Sequence, residues 1–284
     1  MKTINKIDEY IGLIDEALKY AINPSGKISE ELFKAMEYSL FTGGKRLRPI
    51  MALKAYELYD NYIHNAMPFA AAIEMIHTYS LIHDDLPSMD DDNFRRGRPT
   101  THKVYGDANA ILAGDALLNL AYETMIKSCV KKPNEKKNRA MYEIAKASGQ
   151  CGMVGGQVLD IKAENKTITE EELLTIYKGK TAALIRVSIV SGAIIGGASD
   201  NDINALRKFG TKLGLAYQMQ DDILDDKEDK EINKNTILKF YSKEEAVEKI
   251  ETINNEALDI LDDLLDLDTE FFRDLTLELR SREI

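Results

Sequence analysis

Apolar residues recur at three- and four-residue spacing along almost the whole chain, as in IGLIDEALKYAI, MPFAAAIEMIHTYSLI, ILAGDALLNLAYETMI and EALDILDDLL. That spacing lays an apolar stripe along one face of an α-helix, whereas a half-buried strand needs alternation at every second residue, which is nearly absent. The prolines and most glycines fall between these segments, at Pro24-Ser25-Gly26, Gly43-Gly44, Pro99 and Gly196-Gly197. The pattern therefore predicts roughly ten helices joined by short connections. A chain of 284 residues with 44% hydrophobic content can bury a large core. With no repeat and no low-complexity linker, residues 1–284 read as one all-α domain. The small residues of GAIIGGAS and GGQ belong either where helices approach closely or where backbone meets a ligand, and the sequence leaves both open.

Charge excludes some partners. A net charge of −11 argues against nucleic acid, whose binding rests on Lys and Arg neutralising phosphates. No window approaches the ~20 apolar residues that span a bilayer, and MKTINKIDEYIGLIDEALKY scatters acids where a signal peptide has its apolar core. A cytoplasmic protein without stable membrane insertion is expected. Cys129 and Cys151 fit neither a disulfide framework nor a zinc-ligand spacing, so each is expected to be buried and unpaired.

The segment LIHDDLPSMDDDNFRRGRPT, residues 81–100, crowds five aspartates into nine positions and follows them with Arg95, Arg96 and Arg98. Like charges this close repel, so a fold that keeps them together commonly holds a cation. Asp84 and Asp85 end a helix, and a turn at Pro87 can bring Asp90 back toward them. Oxygen ligands alone favour Mg²⁺, which is commonly held by one or two carboxylates plus substrate phosphates. A solvated acidic loop is the alternative. A second set, YQMQDDILDD at 217–226, stacks Asp221 and Asp225 on one helix face with Gln218 a turn earlier. The similar LDILDDLLDLD at 258–268 has no Gln, Arg or Gly around it and reads as a solvated amphipathic face.

Cations for an anionic ligand are at hand. GGKRLRP at 43–49 puts Lys45, Arg46 and Arg48 near a helix start, either as an anion site or as an ordinary basic first turn. His77 precedes Asp84 by two helical turns, and YKGKTAAL at 177–184 offers Lys180 and Thr181.

Through GGKRLRP, IHTYSLIHDDLPSMDDDNFRRGRPTTHKVYGDANAILAGDALL, GGQVLDI, GKTAALI and GLAYQMQDDILD, the chain resembles the short-chain trans-prenyl diphosphate synthases, bacterial farnesyl diphosphate synthases especially. The similarity runs in matching order over about residues 10–240. The resemblance implies an isoprenoid-synthase helical bundle, homodimeric, with both aspartate motifs facing a deep central cavity. By that resemblance Asp84, Asp85, Asp90, Asp221 and Asp225 hold Mg²⁺ ions on the diphosphate of an allylic substrate, and Asp222 counts with them among the catalytic acids. Arg95, Lys180, Thr181 and Gln218 join them, while Lys45, Arg48, His77 and Arg96 hold isopentenyl diphosphate. The implied reaction is head-to-tail condensation: diphosphate departs, the isopentenyl double bond attacks the allylic cation, and a proton is lost.

Product length turns on Tyr79. It lies five residues before Asp84, roughly 7.5 Å down the helix, where a ring can floor the cavity. In the resembling family an aromatic there accompanies C15 farnesyl products, whereas a cavity left open beside Ser80 would admit C20. One departure stands out. Where the family continues through a glycine- and lysine-bearing loop, this chain passes from DILDDKEDKEINKNT almost directly to Lys234-Asn235-Thr236, so Lys227 or Lys230 would have to replace a missing lysine. A geranylgeranyl synthase, a weakly active or non-catalytic partner subunit, and a terpene cyclase or diphosphatase are the competing readings. The last two do not need a second anion site such as Lys45, Arg48 and His77.

Overall fold

The apolar periodicity is realised as helix nearly throughout the computed structural model, which describes residues 2–23, 28–226 and 234–280. The fold is all-α, as expected, with one two-stranded exception among the described residues. The chain divides into two compact units, Met1–Leu53 with Tyr62–Met141, and Lys54–Asn61 with Tyr142–Ile284.

In the first unit lie α1 (Lys2–Ile22), α2 (Glu30–Leu40), the start of α3 (Leu47–Glu57), α4 (Met67–Asp84), α5 (Thr101–Tyr105), α6 (Asp107–Lys131) and the start of α7 (Glu135–Ser148). Ser29 opens α2 by accepting the Leu32 amide at 3.2 Å, satisfying one of the donors a helix start leaves free. α4 is apolar on every side, and residues such as Phe69, Ile73, Met75 and Ile76 are buried around its circumference, chiefly against α6. It is the central rod of this unit, and its C-terminal end carries the first aspartates.

The exception to the helical reading follows those aspartates. Strands β1 (Phe94–Arg95) and β2 (Arg98–Pro99) pair antiparallel, with Arg95 opposite Arg98. The connecting Arg96 and Gly97 both have positive φ, +52° and +73°, which is the turn that two-residue hairpins favour. Two-residue strands are too short to show as an alternating pattern, so the sequence carried no sign of them.

The second unit contains α8 (Met153–Ala163), α9 (Glu170–Tyr177), α10 (Ala183–Gly196), α11 (Asp200–Leu224), α12 (Lys243–Asp262) and α13 (Glu270–Arg280). Reciprocal capping boxes start α9, through Thr169 and Glu172, and α12, through Ser242 and Glu245. The run Glu170–Gly196 is, against expectation, long and apolar enough to cross a membrane, but most of it is buried inside the fold. Its apolarity serves packing, since α10 is surrounded by neighbours that include α11. GGQ proves to be a helix contact: a Cβ on Gly156 would stand 2.1 Å from the Lys180 amide nitrogen, so only glycine lets α8 approach that segment. The 258–268 acids behave as read, with Leu261 and Leu264 buried and Asp259, Asp262, Asp263 and Asp266 exposed.

Candidate functional site

The last turns of α4 carry Tyr79, Ser80, His83 and Asp84, and Asp85 caps the helix. Beyond it the chain turns as Pro87 suggested. Leu86 N–H donates to His83 O at 3.2 Å, Met89 N–H to Leu86 O at 2.8 Å, and Asp90 N–H returns to Asp84 O at 2.9 Å. Asp84 is half-buried and Asp90 exposed. These carboxylates crowd the C-terminal end of a helix, where the macrodipole already carries partial negative charge, so a cation there would relieve a standing repulsion.

Asp85 differs from its neighbour. Its side chain is buried and its Oδ1 accepts Arg95 Nε at 2.7 Å, with Nη2 at 2.5 Å. Burial raises its pKa, against the downward pull of that guanidinium. Arg95 also reaches Asp92 at 3.3 Å. The family resemblance implies a metal for Asp85 and the allylic diphosphate for Arg95. In the structure each occupies the other, because a buried carboxylate requires a partner.

The GGKRLRP residues point three ways. Arg46, with φ +49°, turns inward: Nη1 donates to Glu74 Oε1 at 2.7 Å, Nε to Asp15 at 3.0 Å and Nη2 to Leu40 O at 2.7 Å. It is a structural residue. Lys45 is exposed on the same loop, and Arg48 places Nη1 3.3 Å from His77 Nε2. Arg96, swung back by the hairpin, donates to Gly43 O. Gly44 has φ +124°, and a Cβ there would lie 2.6 Å from the Arg96 guanidinium, so the second glycine is required twice over. Burial first, then Arg48, Arg96, Arg95 and Arg46, hold the His77 pKa well below its usual value. Arg48, His77 and Arg96 are thus brought together, with the imidazole neutral in a positive field.

Tyr79 is 6% exposed, and its ring meets that of His83 edge-on at 5.7 Å. Burial, then the nearby Tyr122 and Asp84, push its pKa up to about 12, so it is a neutral phenol. Ser80 turns back into its own helix, donating to His77 O at 2.9 Å. His83 Nε2 lies 3.1 Å from Ile111 O.

The second aspartate set ends α11. Asp221 is half-buried and Asp225 exposed, the latter capping the helix through its amide to Asp221 O at 2.9 Å. Here too the carboxylates sit at a helix C-terminus. Asp222, grouped above with the catalytic acids, points the other way. It is 1% exposed and accepts from Tyr177 Oη, Gln218 Nε2 at 3.1 Å and the Ile237 amide at 3.0 Å. Burial lifts its pKa to about 6 despite these donors. Its geometry is that of an anchor tying the segment at Ile237 to α9 and α11. Asn235 assists by donating to Ala163 O at 2.7 Å. Lys227 and Lys230 lie outside the described residues.

Lys180 and Thr181 occupy Lys178–Ala182, a π-helical turn, a widening that frequently marks functional sites. Lys180 Nζ is 2.5 Å from Asp160 Oδ2, and Thr181 Oγ1 donates to Gln218 Oε1 at 2.6 Å. Sequence reasoning missed the supports Tyr177, Asp160 and Ile237. Of these Tyr177 and Asp160 had a signal, within YKGKTAAL and GGQVLDI, whereas Ile237 had none.

The polyprenyl synthetase model matches residues 29–238, most of the chain. The chain belongs to the polyprenyl synthetase family. As a polyprenyl synthetase it is a trans-prenyltransferase by type. It is 48% identical over 197 residues to a farnesyl diphosphate synthase of Bacillus subtilis (strain 168), covering 69% of this chain and 67% of that protein. It is also 45% identical over 266 residues to the heterodimeric geranylgeranyl pyrophosphate synthase large subunit 1, chloroplastic, of Arabidopsis thaliana, covering 88% of this chain and 71% of that one. Among solved structures, an FPP/GFPP synthase from Zymomonas mobilis matches with a TM-score of 0.90 at 31% identity, over 99% of both chains. The chain spans about two thirds of the length of the curated relatives it matches.

Proposed function

We propose that this polyprenyl synthetase makes farnesyl diphosphate by two successive additions of isopentenyl diphosphate to dimethylallyl diphosphate, as a cytoplasmic homodimer. The observation that carries the C15 assignment is the Tyr79 ring, buried roughly 7.5 Å down α4 from Asp84, where it would floor a cavity holding the growing chain. The dimer draws support from α6, which leaves Ile111, Leu112, Ile126 and Val130 exposed.

Magnesium fits the donors present. Asp84, Asp90, Asp221 and Asp225 offer hard carboxylate oxygens at two helix C-termini. Among the described residues no three acids or histidines form a ready metal cage, as suits an ion whose shell substrate phosphates complete. When bound, the ion neutralises charge on the departing diphosphate.

The remaining work falls to the chain. Arg48 and Arg96 supply fixed positive charge for the isopentenyl diphosphate, and Lys45 adds a third cation at the loop surface. Neutral His77 beside Arg48 exchanges hydrogen bonds without adding charge. Lys180, Thr181 and Gln218 supply polar groups for the allylic diphosphate, with Asp160 holding Lys180 and Asp222 holding Gln218. The apolar face of α4 keeps water from the allylic cation, and Tyr79, un-ionised, offers it no anionic nucleophile.

Incubation with Mg²⁺, dimethylallyl diphosphate and isopentenyl diphosphate, followed by product chromatography, tests the reading. A C15 major product is expected. A C20 product would favour geranylgeranyl diphosphate synthesis, a reading supported by the similar identity of geranylgeranyl synthases. No product at all would reject catalysis in favour of a binding role.

A further inference from the structure

A basic pocket within the second unit is lined by none of the residues assigned above to the substrates or the metal. Glu143 and Lys146 from the end of α7, Cys151, Arg186 from α10 and Arg207 from α11 line a cavity of about 240 Å³. Three cations face one carboxylate there, in a chain whose net charge is −11. The one acid is taken: Glu143 accepts both Arg207 nitrogens, Nη1 at 3.0 Å and Nη2 at 3.1 Å. Arg186 is half-buried and makes no hydrogen bond or ion pair among the described residues, and neither does the exposed Lys146. The pocket is built by close packing, since Gly210 of α11 would place a Cβ 2.8 Å from the Arg186 Cα, which brings Arg186 and Arg207 beside each other. Burial, then the Arg207 charge, lowers the Arg186 pKa, so the guanidinium is held at an energetic cost.

Two cations gathered beside an already neutralised ion pair, in a concave wall, concentrate positive potential that protein groups leave unanswered. A guanidinium fork beside an ammonium matches the oxygens of a tetrahedral oxyanion, and the volume admits one or two such groups. We propose that the pocket formed by Lys146, Arg186 and Arg207 is an anion site that takes a phosphate-type oxyanion, free phosphate or diphosphate, separately from the prenyl-transfer site. The proposal does not depend on which product the enzyme makes.

Cys151 supplies the reporter. It is free and exposed at the pocket, whereas Cys129 is buried. The full chain, in EDTA and at constant ionic strength, is alkylated with uncharged iodoacetamide, and Cys151 modification is followed by peptide mass spectrometry. Inorganic diphosphate should slow the reaction saturably and severalfold. Inorganic phosphate should do so at higher concentration, and chloride should not; the phosphate and diphosphate arms thereby separate the two sources. Arg186→Gln should raise the half-protecting concentration roughly tenfold or more, about one charge-assisted contact, while Arg48→Ala leaves it unchanged. If Arg186→Gln does not fold, Lys146→Gln on an exposed side chain gives the same readout. Absence of protection, or protection equal to that by chloride, overturns the proposal. So does protection that survives both pocket variants or disappears in Arg48→Ala, which would place the anion at the proposed isopentenyl cluster.

Discussion

Arg46 and Glu74 form a buried ion pair, with Nη1 2.7 Å from Oε1 and side chains only 2% and 3% exposed. Two residues on, Arg48 leaves that network and meets His77 instead. Adjacent arginines of one basic run thus answer different demands. Glu74→Ala removes one of the two carboxylates that neutralise the buried Arg46, leaving Asp15 as its counter-ion, and should destabilise the fold by about 1–3 kcal/mol in denaturant titration. Arg48→Ala should leave stability nearly unchanged and raise the isopentenyl diphosphate KM. Equal loss of stability in both variants would contradict the division.

The metal assignment predicts a sharp loss of activity. Asp84→Ala or Asp221→Ala should reduce turnover by about 4 kcal/mol, roughly a thousandfold, with helical circular dichroism intact. EDTA should act likewise and added Mg²⁺ should reverse it. Full activity in EDTA would rule the assignment out.

Tyr79→Ala removes the ring that rests on His83 and should lengthen the major product to C20 or beyond, because a steric wall disappears on truncation. Chromatography of products made with excess isopentenyl diphosphate reads the outcome. A variant that still stops at C15 would mean another residue sets the length.

His77 gives a pH signature. Its folded-state pKa is depressed, so below the ordinary histidine value the unfolded chain binds a proton that the folded one refuses. Its contribution is therefore full above about pH 6.5 and is lost as the pH falls, by up to about 1.4 kcal/mol per pH unit. His77→Gln should reduce the stability difference between about pH 7 and about pH 5.5, measured by denaturant midpoints. An unchanged difference would show that His77 titrates normally.

What the sequence determined by itself was what a periodic pattern or a turn residue along the chain can carry. The helical class followed from apolar spacing, the return of Asp90 from Pro87, and the solvated 258–268 face from the absence of cationic context. Tertiary structure decided which way charged side chains face, because their partners are far off in sequence. Arg46 finds Glu74 across 28 residues, and Tyr177 finds Asp222 across 45. No local pattern distinguishes Asp221 from Asp222 or Asp84 from Asp85, yet Asp222 and Asp85 are buried and held by donors while Asp221 and Asp84 are half-buried. Cys151, expected inside, lies exposed for the same reason. Periodicity is written into each helix, but the environment of a single polar group exists only once other helices have packed around it, and desolvation then requires a partner for every charge left inside.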